Sequence, residues 1–362
     1  MTEFQVKNTI GIYVPSVNHF TETIAYWIAL NPKNYVILIT PTESEQKEHK
    51  WCLKRLSQFK LENIELVKPA SLPICTDWLY IKSSKTHPLF EKNLNAWVRK
   101  TKKLGILAYY NHQDGFKSII KQLLYTFPYY FLAKTVLLQI SSQCKHPYAF
   151  IQKQAFFSPS VHPQYIVNEH YRQLIFDEYK DFSTQRNYKF TFLGNRQPKE
   201  RKTVLKAVKE TLNRIKNSVI FDDYQEKAEI SRSSVNTLWI EYGDGGSKRG
   251  LKSTEYVKAL SETDFCICPL GWGGNWTHRV IEALVCGAIP ILEDADRYNI
   301  DLVDMETCIT VRNGDWEEAI ERAYSQRPEE IVAMRSRVKA IKENYLTPEV
   351  AARRFRQSIN LD

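Results

Sequence analysis

Short apolar runs alternate with amphipathic stretches along the first half of the chain. Residues 9–14 (TIGIYV), 35–39 (YVILI) and 64–67 (IELV) read as strands. Between the first two, Ile24, Trp27 and Ile28 recur at helical spacing within residues 20–30, and residues 45–59 form a charged amphipathic helix. Residues 78–81 and 104–110 add two strands. The helix before the latter ends in Arg99, Lys100, Lys102 and Lys103, which suits a helix carboxyl end and also leaves a phosphate or lipid patch open. Alternation of this kind predicts a parallel sheet with helices on its faces. The strongest apolar stretch, residues 123–140, is interrupted by Pro128 and Lys134. It is too broken for a span of ~20 residues and reads as a core helix, with a helix lying on a membrane surface as the alternative.

Residues 144–179 lose this regularity and read as a crossover between domains, with 182–187 (FSTQRN) the most linker-like piece. Alternation resumes with a strand at 189–193, a turn at Gly194-Asn195-Arg196, a helix at 200–215 and a strand at 218–221. Residues 241–250 (EYGDGGSKRG) form a glycine-rich, mixed-charge loop, either a lid or a plain connection. The expected division is 1–182, 183–345 and a terminal helix at 346–362. A length of 362 residues exceeds the usual ~100–200 per domain and fits two domains.

Residues 265–298 carry the chemistry. Phe265-Cys266-Ile267-Cys268 is a buried strand stopped by Pro269, and a glycine-rich loop follows with Gly271, Gly273 and Gly274. Asn275 or Thr277 caps the next helix, Gly287 ends it, and residues 288–292 (AIPIL) are a second strand, with Pro290 expected at its start or at a bulge. A glycine loop opening a helix after a strand is a site for a phosphate, because the first amides lack partners and carry partial positive charge. His278 and Arg279 add donors in the first turn, and Arg suits bidentate contact with a diphosphate. Glu282, three residues on, can accept two ribose hydroxyls. The plainer alternative is an i,i+3 surface pair worth a few tenths of a kcal/mol.

The stretch resembles the carboxy-terminal motif of exostosin-like glycosyltransferases and, more loosely, the nucleotide domain of GT-B glycosyltransferases. The matching residues are Phe265, Cys266, Pro269, Gly271, Arg279, Glu282-Ala283-Leu284, Gly287, Ile289-Pro290-Ile291 and Asp294, with Tyr256-Val257-Lys258-Ala259-Leu260 upstream. The resemblance covers roughly the second half of the chain. It implies an α/β protein of GT-B architecture, with two Rossmann-like domains facing each other across a cleft. It also implies a donor nucleotide held with Glu282 on the ribose and Arg279 near the phosphates. Gly194 and Arg196, with Arg201 the weaker candidate, resemble the family's Gly-plus-Arg segment at the start of the second domain. An Asp at the position of Asp294 shapes the sugar side of the family's pocket. Terminal helices in such enzymes often cross back to the first domain.

Many retaining GT-B enzymes carry a second Glu eight positions before the ribose-binding one, and that position here is Gly274. An inverting single displacement is therefore expected, with a general base from the first domain. His112 or Asp114, in Asn111-His112-Gln113-Asp114-Gly115 after the 104–110 strand, are the candidates, and Asp77 is a weaker one. Asp294-Ala295-Asp296 has Asp-x-Asp spacing but lies in the nucleotide unit, so metal-free chemistry is expected, with no cofactor beyond the nucleotide-sugar substrate.

The net charge of +9 favours anionic partners: a sugar nucleotide, a glycan or lipid-linked acceptor, or a membrane surface. Nucleic acid is not expected, because no basic stripe is interleaved with aromatics. Seven cysteines without framework spacing read as buried free thiols, and the opening MTEFQVKN lacks an apolar signal core. The expected location is cytoplasmic, with peripheral membrane contact open. The alternatives are a retaining transferase, a sugar-nucleotide epimerase, a non-catalytic GT-B-like subunit and a nucleic-acid-binding protein.

Overall fold

The computed structural model describes residues 8–13, 19–39, 61–67, 75–82, 92–108, 133–138, 154–156, 161, 164–167, 169–178, 182, 185–196, 199–215, 219–221, 236–242, 251–271 and 277–361. These divide into two compact units.

The first unit holds β1 (Asn8–Tyr13), α1 (His19–Ala29), β2 (Asn34–Ile39), β3 (Ile64–Val67), β4 (Thr76–Lys82), α2 (Lys92–Lys100), β5 (Thr101–Ala108), β6 (Ala133–Leu138), β7 (Gln154–Phe156) and α3 (Gln164–Val167). Its sheet runs in the order β3-β2-β1-β4-β5-β6-β7, and every pair is parallel. Such a sheet is covered on both faces, so its strands are continuously apolar rather than alternating. One core gathers Tyr13, Ile37, Ile39, Leu79, Ile81, Leu94, Trp97 and Leu104. The expected core helix at 123–140 is corrected. Residues 133–138 are the strand β6, registered so that Ile106 faces Val136, and residues 123–132 lie outside the described residues. A short apolar run fits a buried strand and a buried helix equally well.

The second unit holds α4 (Glu169–Gln173), a π-helical turn (Leu174–Glu178), β8 (Tyr188–Asn195), α5 (Lys199–Arg214), β9 (Val219–Phe221), β10 (Asn236–Tyr242), α6 (Ser253–Ser261), β11 (Thr263–Ile267), α7 (His278–Val285), β12 (Ile289–Leu292), a 3-10 turn (Ala295–Tyr298), β13 (Ile309–Thr310), α8 (Trp316–Tyr324) and α9 (Pro328–Ile341). Its parallel sheet runs β13-β12-β11-β8-β10-β9. The unit takes in residues 170–182, ahead of the expected start at 183, because the turn at Leu174–Glu178 packs on α6 and α7. The last helix, α10 (Pro348–Ser358), belongs to the first unit. There Phe355 packs on Trp27 at 5.4 Å between ring centroids, and Arg356 Nη1 donates to Trp27 O at 2.9 Å.

The order of the second sheet places a switch point. The chain leaves β8 toward β9 and β10 on one side, then returns through α6 to lay β11 on the other side of β8. In open α/β sheets, ligands bind outside the carboxyl ends of the strands at such a point. Those ends are Gly194-Asn195 of β8 and the segment Cys268–Gly271 after β11. Among the described residues, no helix is long and apolar enough to cross a membrane.

Candidate active site

The strands β11 and β12 and the helix α7 form as their sequence predicts. Phe265 pairs with Ile289 and Ile267 with Ile291 in the parallel ladder, and Pro290 is the second residue of β12. Thr277 is the N-cap, its hydroxyl accepting the Arg279 amide at 3.4 Å. Gly287 sits at φ +78, where the helix ends with Gly287 N–H on Leu284 O and Ala288 N–H on Ala283 O. That pair of bonds is the left-handed cap that glycine makes without strain.

Both charged residues of α7 lie inside the protein. Arg279 is 8% exposed and Glu282 is 5% exposed. The surface-pair alternative therefore fails, and each group needs a partner because burying an unpaired charge is costly. Arg279 Nε donates to Leu193 O of β8 at 2.9 Å, and the guanidinium lies over the Phe192 ring, 4.8 Å from its centroid. Its Nη1 is buried and finds no hydrogen-bond partner among the described residues. Burial pulls the Arg279 pKa down, but Tyr256, Cys268, Cys266 and Glu282 outweigh it, and the group is held above the ordinary Arg value. Glu282 accepts a 2.6 Å hydrogen bond from the Tyr256 hydroxyl of α6.

Gly194 provides the space for this arrangement. It lies at φ +153, and a Cβ there would collide with Arg279 Nη2. The carboxyl end of β8, through Leu193 O, and the start of α7 thus meet at the switch point through one guanidinium.

The helix amides are already used. Thr277 N–H donates to the Tyr298 hydroxyl at 3.1 Å, Arg279 N–H is held by its cap, and Val280 N–H donates to Thr277 O at 3.3 Å. The expectation that these amides hold a diphosphate is therefore corrected at Thr277, Arg279 and Val280. The Thr277 cap and the buried Tyr298 satisfy them within the protein.

The flanking loops are also tied down. The Leu270 amide and the Trp316 side chain hydrogen-bond to Glu293, whose pKa is raised because burial outweighs those bonds and Arg297. Asp294 pairs with Arg297. Cys266, Cys268, Cys286 and Cys308 are buried free thiols; burial pushes Cys286 and Cys308 up to about 12.

Other expected residues fall elsewhere. Arg196 is exposed, its Nη1 4.0 Å from Glu241 Oε2, and His278 is half-buried at the start of α7. Gly271 is described at the end of the β11 segment, whereas Gly273, Gly274 and Asn275 lie outside the described residues, as do His112 and Asp114. Asp77 is corrected. It sits at the amino end of β4, taking the Thr9 amide and Lys102 Nζ, each at 2.8 Å. Burial pushes its pKa up, but Lys102 and the Thr9 amide together outweigh that and hold it below the usual range. Tyr256 lies in the upstream segment that resembles the family, but its bond to Glu282 carries no local signal, and neither do the bonds of Tyr298 and Glu293, because the partners are distant in the chain.

A family model for the exostosin GT47 domain matches residues 137–334, more than half of the chain. The chain belongs to the exostosin GT47 family. Within it, two curated relatives from Arabidopsis thaliana are the probable beta-1,4-xylosyltransferases IRX10 and IRX10L, 44% and 41% identical over 39 residues. Those matches cover 11% of this chain and only 9% of each relative's length. Solved structures share the fold of this exostosin-family chain along nearly its whole length. A TarM from S. aureus, solved with UDP among its ligands, superposes with TM-score 0.61 at 9% identity, over 98% of this chain and 100% of its own. Anabaena HepE, solved with UDP-glucose, gives 0.52 at 10% identity over 98% and 100%. A glycosyltransferase from Rickettsia africae gives 0.56 at 13% identity over 98% and 99%. The fold is GT-B, an α/β architecture of two parallel-sheet units.

Proposed function

We propose that this protein is an inverting, metal-independent glycosyltransferase that moves a sugar from a nucleotide-sugar donor to a hydroxyl of a glycan or lipid-linked acceptor. The observation that carries this reading is the buried Arg279 guanidinium. It is seated in the gap left by Gly194 at the switch point, with one nitrogen unpartnered among the described residues. A buried donor without a partner costs about 1–3 kcal/mol, and a ligand oxygen is one way to recover it. The plant relatives' names favour a pentosyl donor and a polysaccharide product.

In this mechanism Arg279 takes the donor diphosphate and Glu282, oriented by Tyr256, accepts ribose hydroxyls. A base drawn from His112 or Asp114 removes the acceptor proton. The acceptor oxygen attacks the anomeric carbon as the bond to the diphosphate breaks, and negative charge grows on the leaving group beside Arg279. Charge stabilisation there takes the place of a metal, and one displacement inverts the anomeric centre. Gly274, standing where many retaining enzymes have a second Glu, supports that outcome. No cofactor is needed. The net charge of +9 suits an anionic donor and a lipid-linked acceptor at a membrane surface; nucleic acid has no part in this reading.

Thermal unfolding with UDP, GDP and ADP tests the reading, because a ligand of the folded state raises Tm. One nucleoside diphosphate should do so in the wild type and fail to do so in Arg279→Ala. No shift with any of them overturns the donor site.

A further inference from the structure

Arg201, on the first turns of α5, is buried, and its guanidinium meets backbone carbonyls on two loops. Nε donates to Leu270 O at 3.0 Å, Nη1 to Asn195 O at 2.9 Å, and Nη2 to Pro269 O at 3.3 Å and to Leu270 O. Asn195 closes β8 and Pro269-Leu270 follows β11, so one side chain bridges the two strand ends at the switch point. Leu193 O, on the other side of Gly194, is taken by Arg279. Two arginines thus grip alternate carbonyls of β8, with the glycine between them.

We infer that Arg201 is a positioning residue of the donor site, holding the β8 and β11 loops at the separation at which Arg279 can receive an anionic diphosphate. This deepens the donor-site reading and rests on it. The planar fork matters because carbonyls on two loops are reached by donors spread over three nitrogens of a rigid plane, whereas an ammonium offers all its donors from one atom. Charge matters too. Arg201 is buried against carbonyls beside a second guanidinium, and burial first, then Arg279, brings its pKa down to about 9. A neutral tie would hold two loops with a smaller desolvation penalty. Two neighbouring cations repel in the unliganded protein, and a bound dianion relieves that repulsion.

The test is calorimetric titration of UDP, GDP and ADP into wild type, Arg201→Lys, Arg201→Met and Arg335→Lys, with the Tm of each measured without nucleotide. Arg335 is a buried control, paired with Asp264 at 3.0 Å near the amino end of β11. Weakening of Kd by about tenfold or more in both Arg201 variants, with Kd unchanged in Arg335→Lys, supports the inference. Should one Arg201 variant fail to fold, as its Tm shows, the Kd of the other decides on the same criterion. Wild-type Kd in Arg201→Lys overturns the inference while leaving the donor site standing. Equal weakening in Arg335→Lys also overturns it, because general loosening then explains the loss. If the wild type binds none of the three, the donor-site reading falls and this inference with it.

Discussion

The Arg279 guanidinium occupies the place where a side chain at position 194 would stand. Gly194→Ala therefore forces Arg279 out of its contact with Leu193 O and Phe192, and it puts a Cβ on backbone at φ +153. Strain of this kind costs about 1–3 kcal/mol. The expected outcome is a lowered Tm together with loss of nucleotide binding, read by calorimetry. Full retention of binding would show that the two residues do not form one site.

Tyr256→Phe removes the hydroxyl that donates to Glu282 and keeps the ring. A bond to a charged group contributes about 1.5–3 kcal/mol. Donor KM should rise about tenfold or more with acceptor KM unchanged, and Glu282→Gln should show the same pattern. A change confined to kcat would remove Glu282 from donor binding.

The general base is tested by turnover rather than by binding. His112→Ala and Asp114→Ala, assayed separately, should leave donor Kd near wild type. One of them should lower kcat by about 10²–10⁴-fold. Normal kcat in both variants excludes this loop from the chemistry.

Asp304 supports the carboxyl side of the second unit by accepting the Thr310 amide at 2.8 Å, Arg312 Nη2 at 2.8 Å and Arg322 Nη1 at 2.9 Å. Burial pushes its pKa up, but those hydrogen bonds prevail and hold it below the usual carboxylate range. A depressed folded-state pKa adds stability above the unfolded value of ~3.9, and that stability is lost as pH falls through the folded value. Asp304→Asn should lower Tm at neutral pH and flatten the fall in Tm below pH ~4. Wild-type acid sensitivity in the variant would contradict the assignment.

The strands β11 and β12 and the capped helix α7 were legible because they are consecutive and each carries its own signal. Gly287 and Thr277 announced the ends of α7 through chemistry that acts over three or four residues. What joins the site was not legible. The bond from Tyr256 to Glu282 spans 26 residues and that from Arg279 to Leu193 spans 86. Neither pairing leaves a periodicity. The sequence pattern also cannot distinguish an anion-binding helix start from a self-satisfied one, and Tyr298 made the difference by taking the Thr277 amide. The strand β6 was hidden for another reason: Lys134 and Pro128 break an apolar run that is too short to declare its period.

The most direct test of the account is calorimetric titration of UDP, GDP and ADP into wild type and Arg279→Ala, with circular dichroism confirming that the variant is folded. The account predicts binding of at least one nucleoside diphosphate by the wild type and none by the folded variant. Equal affinity in both proteins would contradict it.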